Sequence, residues 1–293
     1  MYNEILQGVK SKHSLTSENA INNHLQNLQN QVKSLRQAFK VFPVRFDYTD
    51  VKIQQAYLFA YYPHYTELLE YALNSANSSL NNSFPSKLLL FGSGPCPEII
   101  GYLKFLNGQN QISRMNLKVS IFDIASTHWE YSRDITFNYI VPSYTNVHTI
   151  SKWRSKNFRI NVPLDNVNLS EPQLVVYQNC LNEIDLSDYD IIKSNFEKLF
   201  DNLPSKSIIA IIDFHEYPDV VTLISAIQAN ISSKSGFVLL RDINSGVINK
   251  RSNYRNPPPI IRENLMTGIP FEIQNGLIPR SKVKFTYSLI RKE

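Results

Sequence analysis

KLLLFGSGPCPEIIGYL, residues 87–103, decides how the rest of the chain is read. A strand-like apolar run, Leu88 to Phe91, meets Gly92-Ser93-Gly94, and an amphipathic helix starts at Pro97. Glycine lets backbone approach a ligand without a Cβ in the way. Proline suits the first helical position, where its missing N–H costs nothing. A dinucleotide fingerprint needs a further glycine where Pro97 stands, so the pyrophosphate pattern fails. What remains is a strand–turn–helix mouth suited to a nucleotide-like ligand.

Working outward, short apolar runs alternate with helical patterns. Strands are predicted at 87–91, 118–123, 173–178 and 207–213, and helices near 97–107, 127–139, 187–201 and 218–231. One more strand falls between 146 and 162. Such alternation implies an α/β fold with parallel strands and crossover helices. Two last runs, GFVLLRDI (236–243) and KVKFTYSLI (282–290), have no helix between them and suit an antiparallel pair at the sheet edge. Residues 53–293 form the predicted ligand-binding domain, with 1–52 an N-terminal helical extension. In that extension Ile21, Leu25, Leu28, Val32, Leu35 and Phe39 make one stripe on a helix over 17–39, capped by Ser17. The stripe suits docking on its own domain; the other readings are a coiled-coil homodimer seam or a lid over the site. A helix from Asp50 should break at Pro63, where Tyr57, Tyr61, Tyr62 and Tyr65 gather and offer hydroxyls to a neighbouring cleft.

Bulk properties exclude several classes. The chain has 293 residues, 43% hydrophobic and 19% charged, enough for a full core. No apolar run is long enough to span a bilayer, and the opening MYNEILQGVKSKHS lacks the apolar stretch of a signal peptide. Two cysteines, Cys96 and Cys180, argue for a reducing, cytoplasmic setting rather than a disulfide-built fold. A net charge of +5 permits an RNA partner without demanding one.

In an open parallel sheet, ligands sit beyond the strand C-termini at the point where strand order reverses. Asp123 ends the second strand, where a carboxylate accepts hydrogen bonds from a ribose; the competing reading is a helix cap. YQNCLNEIDL, residues 177–186, follows the fourth strand, so Gln178, Asn179 and Asn182 are placed to bind, and Glu183 or Asp185 to take a proton. IIDFHEYPD ends the fifth strand and makes His215 the leading general-base candidate, with an ordinary pKa of about 6.5. Histidines 64, 128 and 148 are scattered, and no metal-ligand spacing appears. The stretch 244–282 carries Lys250, Arg251, Arg255, Arg262, Arg280 and Lys282, with Tyr254 and Phe271 interleaved. It reads as a long loop that either grips RNA phosphates or covers a small acceptor.

The ordering, with FGSGP and Asp123, resembles the class I S-adenosylmethionine-dependent methyltransferases over about residues 53–293. Leu90 and Cys96 stand where that family has an acid and a third glycine. The resemblance implies a Rossmann-like sheet ending in an antiparallel hairpin and S-adenosylmethionine as cofactor. Its expected binding set here is Gly92, Ser93, Gly94, Pro95, Asp123, Ile124, Gln178 and Asn179. His215, Glu183 and Tyr62 are the catalytic candidates, and a small-molecule acceptor is favoured over RNA. AYLFAYYPHYTELLEYAL with QLVVYQNCLNEI also looks like the methyltransferase-like proteins of the mitochondrial small ribosomal subunit, whose cysteine cluster is absent. LFAYYPHYTELLEYAL with FGSGPCPE resembles nicotianamine synthases, which transfer the cofactor's aminocarboxypropyl arm. Two alternatives to methyl transfer follow: aminocarboxypropyl transfer, or a silent scaffold for RNA or protein.

Overall fold

The computed structural model describes residues 1–80, 84–112, 115–145, 150–162, 169–266 and 277–293. His148 and Phe271 lie outside the described residues, as does part of the 244–282 stretch. The central strands are the most apolar. β4 (Gln173–Gln178) and β5 (Ile208–Phe214) are buried at every position, and β1 (Lys87–Phe91) at every position but its first. Burial on both faces is what continuous Leu/Val/Ile runs predict for a parallel sheet covered by helices on both sides. β2 (Leu117–Asp123) alternates over its first half, and β3 (Ile150–Asn157) lies at the edge.

The sheet has eight strands in the order β3-β2-β1-β4-β5-β8-β6, with β7 also paired to β8. β1 to β5 run parallel. β8 (Lys282–Lys292) is antiparallel to β5. This is the α/β sheet the sequence predicts, parallel at its centre and antiparallel at its C-terminal strand. β6 (Phe237–Arg241) and β7 (Val247–Arg251) lie end to end along β8, one on each half of its eleven residues. The expected terminal pair is therefore present, but the predicted long loop is partly structured. Its first part is β7, and α10 (Pro259–Asn264) follows.

Alternate side chains feed two cores, as period-2 strands require. Leu88, Leu90, Val176 and Ile212 join one, and Leu89, Phe91, Val175 and Ile211 the other. α8 (Tyr189–Asn202) and α9 (Pro218–Ser232) cover the second face. The first face carries α5 (Tyr62–Ser75), α6 (Pro97–Gly108) and the N-terminal helices.

Helix ends follow the chemistry of their caps. Ser17 Oγ accepts the Ala20 N–H at 3.2 Å, and Asp50 Oδ1 accepts the Lys52 N–H at 2.8 Å. The predicted helix over 17–39 is two helices, α2 (Glu18–Asn27) and α3 (Gln29–Ala38), broken at Leu28. Its stripe of Ile21, Leu25, Leu28, Val32 and Leu35 is buried within this chain. That removes the apolar face a homodimer seam would need. α1 (Tyr2–Lys12), unread in the sequence, packs Ile5 and Val9 into the same core. α4 (Val51–Ala60) and α5 meet at Tyr61, one residue before the helix that carries Pro63 in its first turn. α7 (Glu130–Ile135) runs on into a π-turn, Thr136–Ile140. Among the described residues no helix is long and apolar enough to cross a membrane.

Candidate functional site

β1 has β2 on one side and β4 on the other, so strand order reverses there and a crevice opens above their C-terminal ends. A cavity of about 420 Å³ fills it. The glycine turn forms one wall. Gly92, Gly94 and Cys96 all have positive φ, at 58°, 45° and 62°. At Gly92 a Cβ would overlap the Cβ of Cys180, which is how the turn after β1 and the turn after β4 come so close. At Gly94 it would meet the Trp129 ring at 3.1 Å.

Buried polar groups hold this turn in shape. Asp123 Oδ2 accepts the Gly94 N–H at 2.9 Å, and Oδ1 accepts the Ala125 N–H at 2.8 Å. Asp123 therefore braces two turns as well as walling the cavity, without capping the helix that follows, and burial pushes its pKa up despite those donors. The Arg133 guanidinium, almost fully buried, donates from Nε to the Gly94 carbonyl at 2.7 Å and from Nη1 to the Ser126 carbonyl at 2.7 Å. Ser93 Oγ donates to Glu98 Oε2 at 2.5 Å. Desolvation pushes the Glu98 carboxyl up to about 8. Glu98 stands in the first turn of α6, next to the turn whose expected acid is Leu90.

The turn after β4 is the opposite wall. Asn179 sits in the left-handed region at φ 57°, and neither polar atom of its side-chain amide has a hydrogen-bond partner although both are buried. Gln178 donates to the Tyr65 carbonyl at 3.2 Å, while its Oε1 is also buried and unpartnered. Buried amides without partners are uncommon in folded proteins, and beside a cavity they are places where a ligand group or a water binds. Glu183 accepts a hydrogen bond from the Tyr48 hydroxyl at 2.5 Å, and desolvation pushes its carboxyl up to about 8.

A strap between α3 and α4 closes the cavity from above. The Val44 N–H donates to the Asn182 carbonyl at 2.9 Å, and Arg45 donates to the Glu183 carbonyl and pairs with Asp185 at 2.6 Å. Gln54, buried at the start of α4, donates to the carbonyls of Tyr48 at 2.8 Å and His128 at 2.7 Å. It thereby fixes Tyr48 and the neighbouring Trp129 against the site.

The expected residues divide in two. Gly92, Ser93, Gly94, Pro95, Asp123, Ile124, Gln178, Asn179 and Glu183 all line the one cavity. His215 and Tyr62 do not. Tyr62 is fully buried and its hydroxyl accepts from Thr136 Oγ1 at 3.2 Å, under the π-turn. His215 follows β5, whose last residue Phe214 packs its ring on Phe39 at 5.4 Å, and it lies outside the lining. Burial pushes the Cys96 thiol up to about 12 and raises that of Cys180, so neither is poised as a nucleophile. Among the described residues no group of three His, Cys, Asp or Glu is placed to hold a metal ion.

Sequence reading missed Phe39, Phe46, Tyr48 and Trp129, all in the lining, and Arg133 behind it. Residues 39–48, FKVFPVRFDY, hold four aromatics besides the proline-marked break, a signal visible in the sequence. Arg133 carries none, because it looks like any polar residue on a short helix. Some basic side chains of 244–282 have protein partners: Lys250 pairs with Glu67 at 3.4 Å, Arg255 donates to the Ser252 carbonyl at 3.0 Å, and Arg280 lies over the Tyr61, Tyr65, Phe214 and Phe285 rings, while Arg251, Arg255, Arg262 and Lys282 are exposed.

No protein-family model and no curated protein matches the chain. Among solved structures, the plantazolicin methyltransferase BpumL in complex with SAH is similar with a TM-score of 0.45 at 11% identity, over 92% of this chain and 98% of that one. The N-methyltransferase NodS from Bradyrhizobium japonicum WM9, in complex with S-adenosyl-L-homocysteine, gives 0.40 at 8% identity, over 76% and 86%. A SAM-dependent methyltransferase from Methanosarcina mazei gives 0.37 at 12% identity, over 73% and 96%.

Proposed function

We propose that the protein is an S-adenosylmethionine-dependent methyltransferase acting on a small-molecule acceptor. The observation that carries this reading is the unpaired amide of Asn179, buried across one cavity from the glycine turn and the Asp123 carboxylate. A ligand with an adenosine at one end and an amino acid at the other matches those three walls. Asp123 keeps lone pairs for the ribose hydroxyls beyond the two backbone N–H groups it holds. Ile124, 55% exposed, and Phe158 offer apolar surface for the adenine. Asn179 and Gln178 supply the free donor and acceptors for the amino-acid end, beside Ser93 and Gly94.

The cofactor supplies a methyl group on a sulfonium, which leaves as a neutral thioether when a nucleophile attacks in line. The chain's own share is alignment, exclusion of water and removal of a proton. Phe39, Phe46 and Tyr48 on the strap shield the site, and Glu183 stands in the lining as the proton acceptor. A cavity of about 420 Å³ walled by aromatic rings supports a small acceptor over RNA. Calorimetry with S-adenosylmethionine and S-adenosylhomocysteine tests the cofactor, and product analysis with the low-molecular-weight fraction of a cell extract tests the reaction. Binding with accumulation of S-adenosylhomocysteine is expected. Absence of binding by folded protein overturns the reading, and methylthioadenosine as product replaces methyl transfer by aminocarboxypropyl transfer.

A further inference from the structure

Six aromatic rings close a circuit that runs from the strap to Trp129, beside the glycine turn. Ring-centroid distances run Phe39–Phe46 5.2 Å, Phe46–Tyr48 5.6 Å, Tyr48–Trp129 4.8 Å, Trp129–Tyr57 5.8 Å, Tyr57–Tyr61 5.7 Å and Tyr61–Phe39 4.7 Å. All but Tyr61 line the cavity. Within the lining, five acidic side chains (Glu98, Asp123, Glu183, Asp185, Asp188) face two guanidiniums (Arg45, Arg159). Arg45 is paired to Asp185, Asp188 accepts from Asn161 at 2.9 Å, and Asp123 and Glu98 hold the glycine turn. Glu183 is left with the Tyr48 hydroxyl as its donor, at the edge of the ring circuit.

Resting on the proposed methyl transfer, we infer that the acceptor is an amine, held as its ammonium within the aromatic circuit and deprotonated there by Glu183. Ring faces attract a cation through their quadrupoles, most strongly when water is excluded. An anionic acceptor would instead meet carboxylates in a low-dielectric site. A neutral alcohol would forgo the cation attraction. Once Glu183 has lost its own proton to solvent, as it does when pH rises through about 8, the desolvated ammonium passes one N–H proton to its carboxylate, which becomes the acid. The freed nitrogen lone pair forms the N–CH3 bond while the C–S bond breaks and its electron pair stays on sulfur. The methylated product leaves as an ammonium, and Glu183 returns its proton to solvent. Desolvation, which brings the Glu183 carboxyl to about 8, makes it a stronger base than an ordinary glutamate.

Calorimetry on protein saturated with S-adenosylhomocysteine isolates the acceptor side, because that thioether carries no positive sulfur. The probes are 2-phenylethylamine, its neutral isostere 2-phenylethanol and the anion 3-phenylpropionate. The amine is expected to bind about tenfold more tightly than the alcohol, with the anion weakest. Glu183→Gln should bring amine and alcohol together while S-adenosylhomocysteine still binds. Phe46→Leu, on the strap and away from the fold's core strands, should lower amine affinity severalfold and leave the alcohol nearly unchanged. With S-adenosylmethionine present, the amine and not the alcohol should drive formation of S-adenosylhomocysteine. Equal binding of amine and alcohol, or an amine preference that survives both variants, overturns the inference alone. Failure of S-adenosylhomocysteine to bind overturns the functional reading and the inference with it.

Discussion

Replacing Gly92 by alanine tests whether the glycine turn is shaped by its neighbour on β4. Two costs add. A non-glycine residue at φ 58° pays for the left-handed region, about 1–2 kcal/mol. The new Cβ also overlaps the Cys180 Cβ, and overpacking a filled site costs about 1–3 kcal/mol. Together Gly92→Ala should destabilise by about 2–5 kcal/mol. The clash belongs to one side chain: its Sγ lies 3.2 Å from the added Cβ, and the next atom, the Cys180 Cα, is already at an ordinary 3.6 Å. Cys180→Gly should therefore erase the overlap and leave only the backbone cost. A double-mutant cycle by urea unfolding should show a favourable coupling of about 1–3 kcal/mol, with the intrinsic cost of Cys180→Gly cancelling. S-adenosylhomocysteine affinity, lost in Gly92→Ala, should recover in part in the double variant. Additivity within about 0.5 kcal/mol would show that the two turns do not meet as described.

Asp123→Ala should weaken S-adenosylhomocysteine binding by about 1–3 kcal/mol, the usual loss when hydrogen bonds to a charged group disappear. It should also lower stability, since the Gly94 and Ala125 N–H groups lose their acceptor; unchanged affinity in folded protein removes Asp123 from the site. Glu98 and Glu183 both have folded pKa values near 8, above the ordinary 4.5, so the folded state binds more protons than the unfolded state between those values. Stability should be fullest below about pH 4.5 on their account and fall as pH rises through 8. The fall should be no smaller than about 1.4 kcal/mol, which is the free energy of a tenfold change in one proton-binding constant. Urea unfolding across that range checks the sign, and Glu98→Gln should flatten the slope; a rise in stability with pH would show the two carboxyls to be stabilised in their charged forms.

Local signals in the sequence determined the order and kind of most elements. Runs such as LLLF and IIAII read as strands buried on both faces, Ser17 and Asp50 announce their helices by the N–H groups they cap, and Gly92 and Gly94 mark a turn that needs positive φ. These features act over a few residues, so one dimension suffices to see them. β7 was not legible because VINKR is short and half polar; it is a strand only because β8 is long enough to pair with it after β6. The break at Leu28 was hidden for a related reason, since the apolar stripe continues in phase across it.

The site shows the same division. Position after a strand places a residue near the sheet's C-terminal edge, and that brought Asp123, Asn179 and Glu183 correctly to the cavity. It does not fix which way a side chain turns, which is why His215 and Tyr62 were expected beside them and are not. The aromatic wall is wholly a tertiary product. The strap has no periodicity of its own, and its rings reach the cavity because Val44 and Arg45 bind the turn after β4 and Gln54 holds Tyr48. The contacts of Val44, Arg45 and Tyr48 with the turn after β4 join residues more than a hundred positions apart, and only packing decides them.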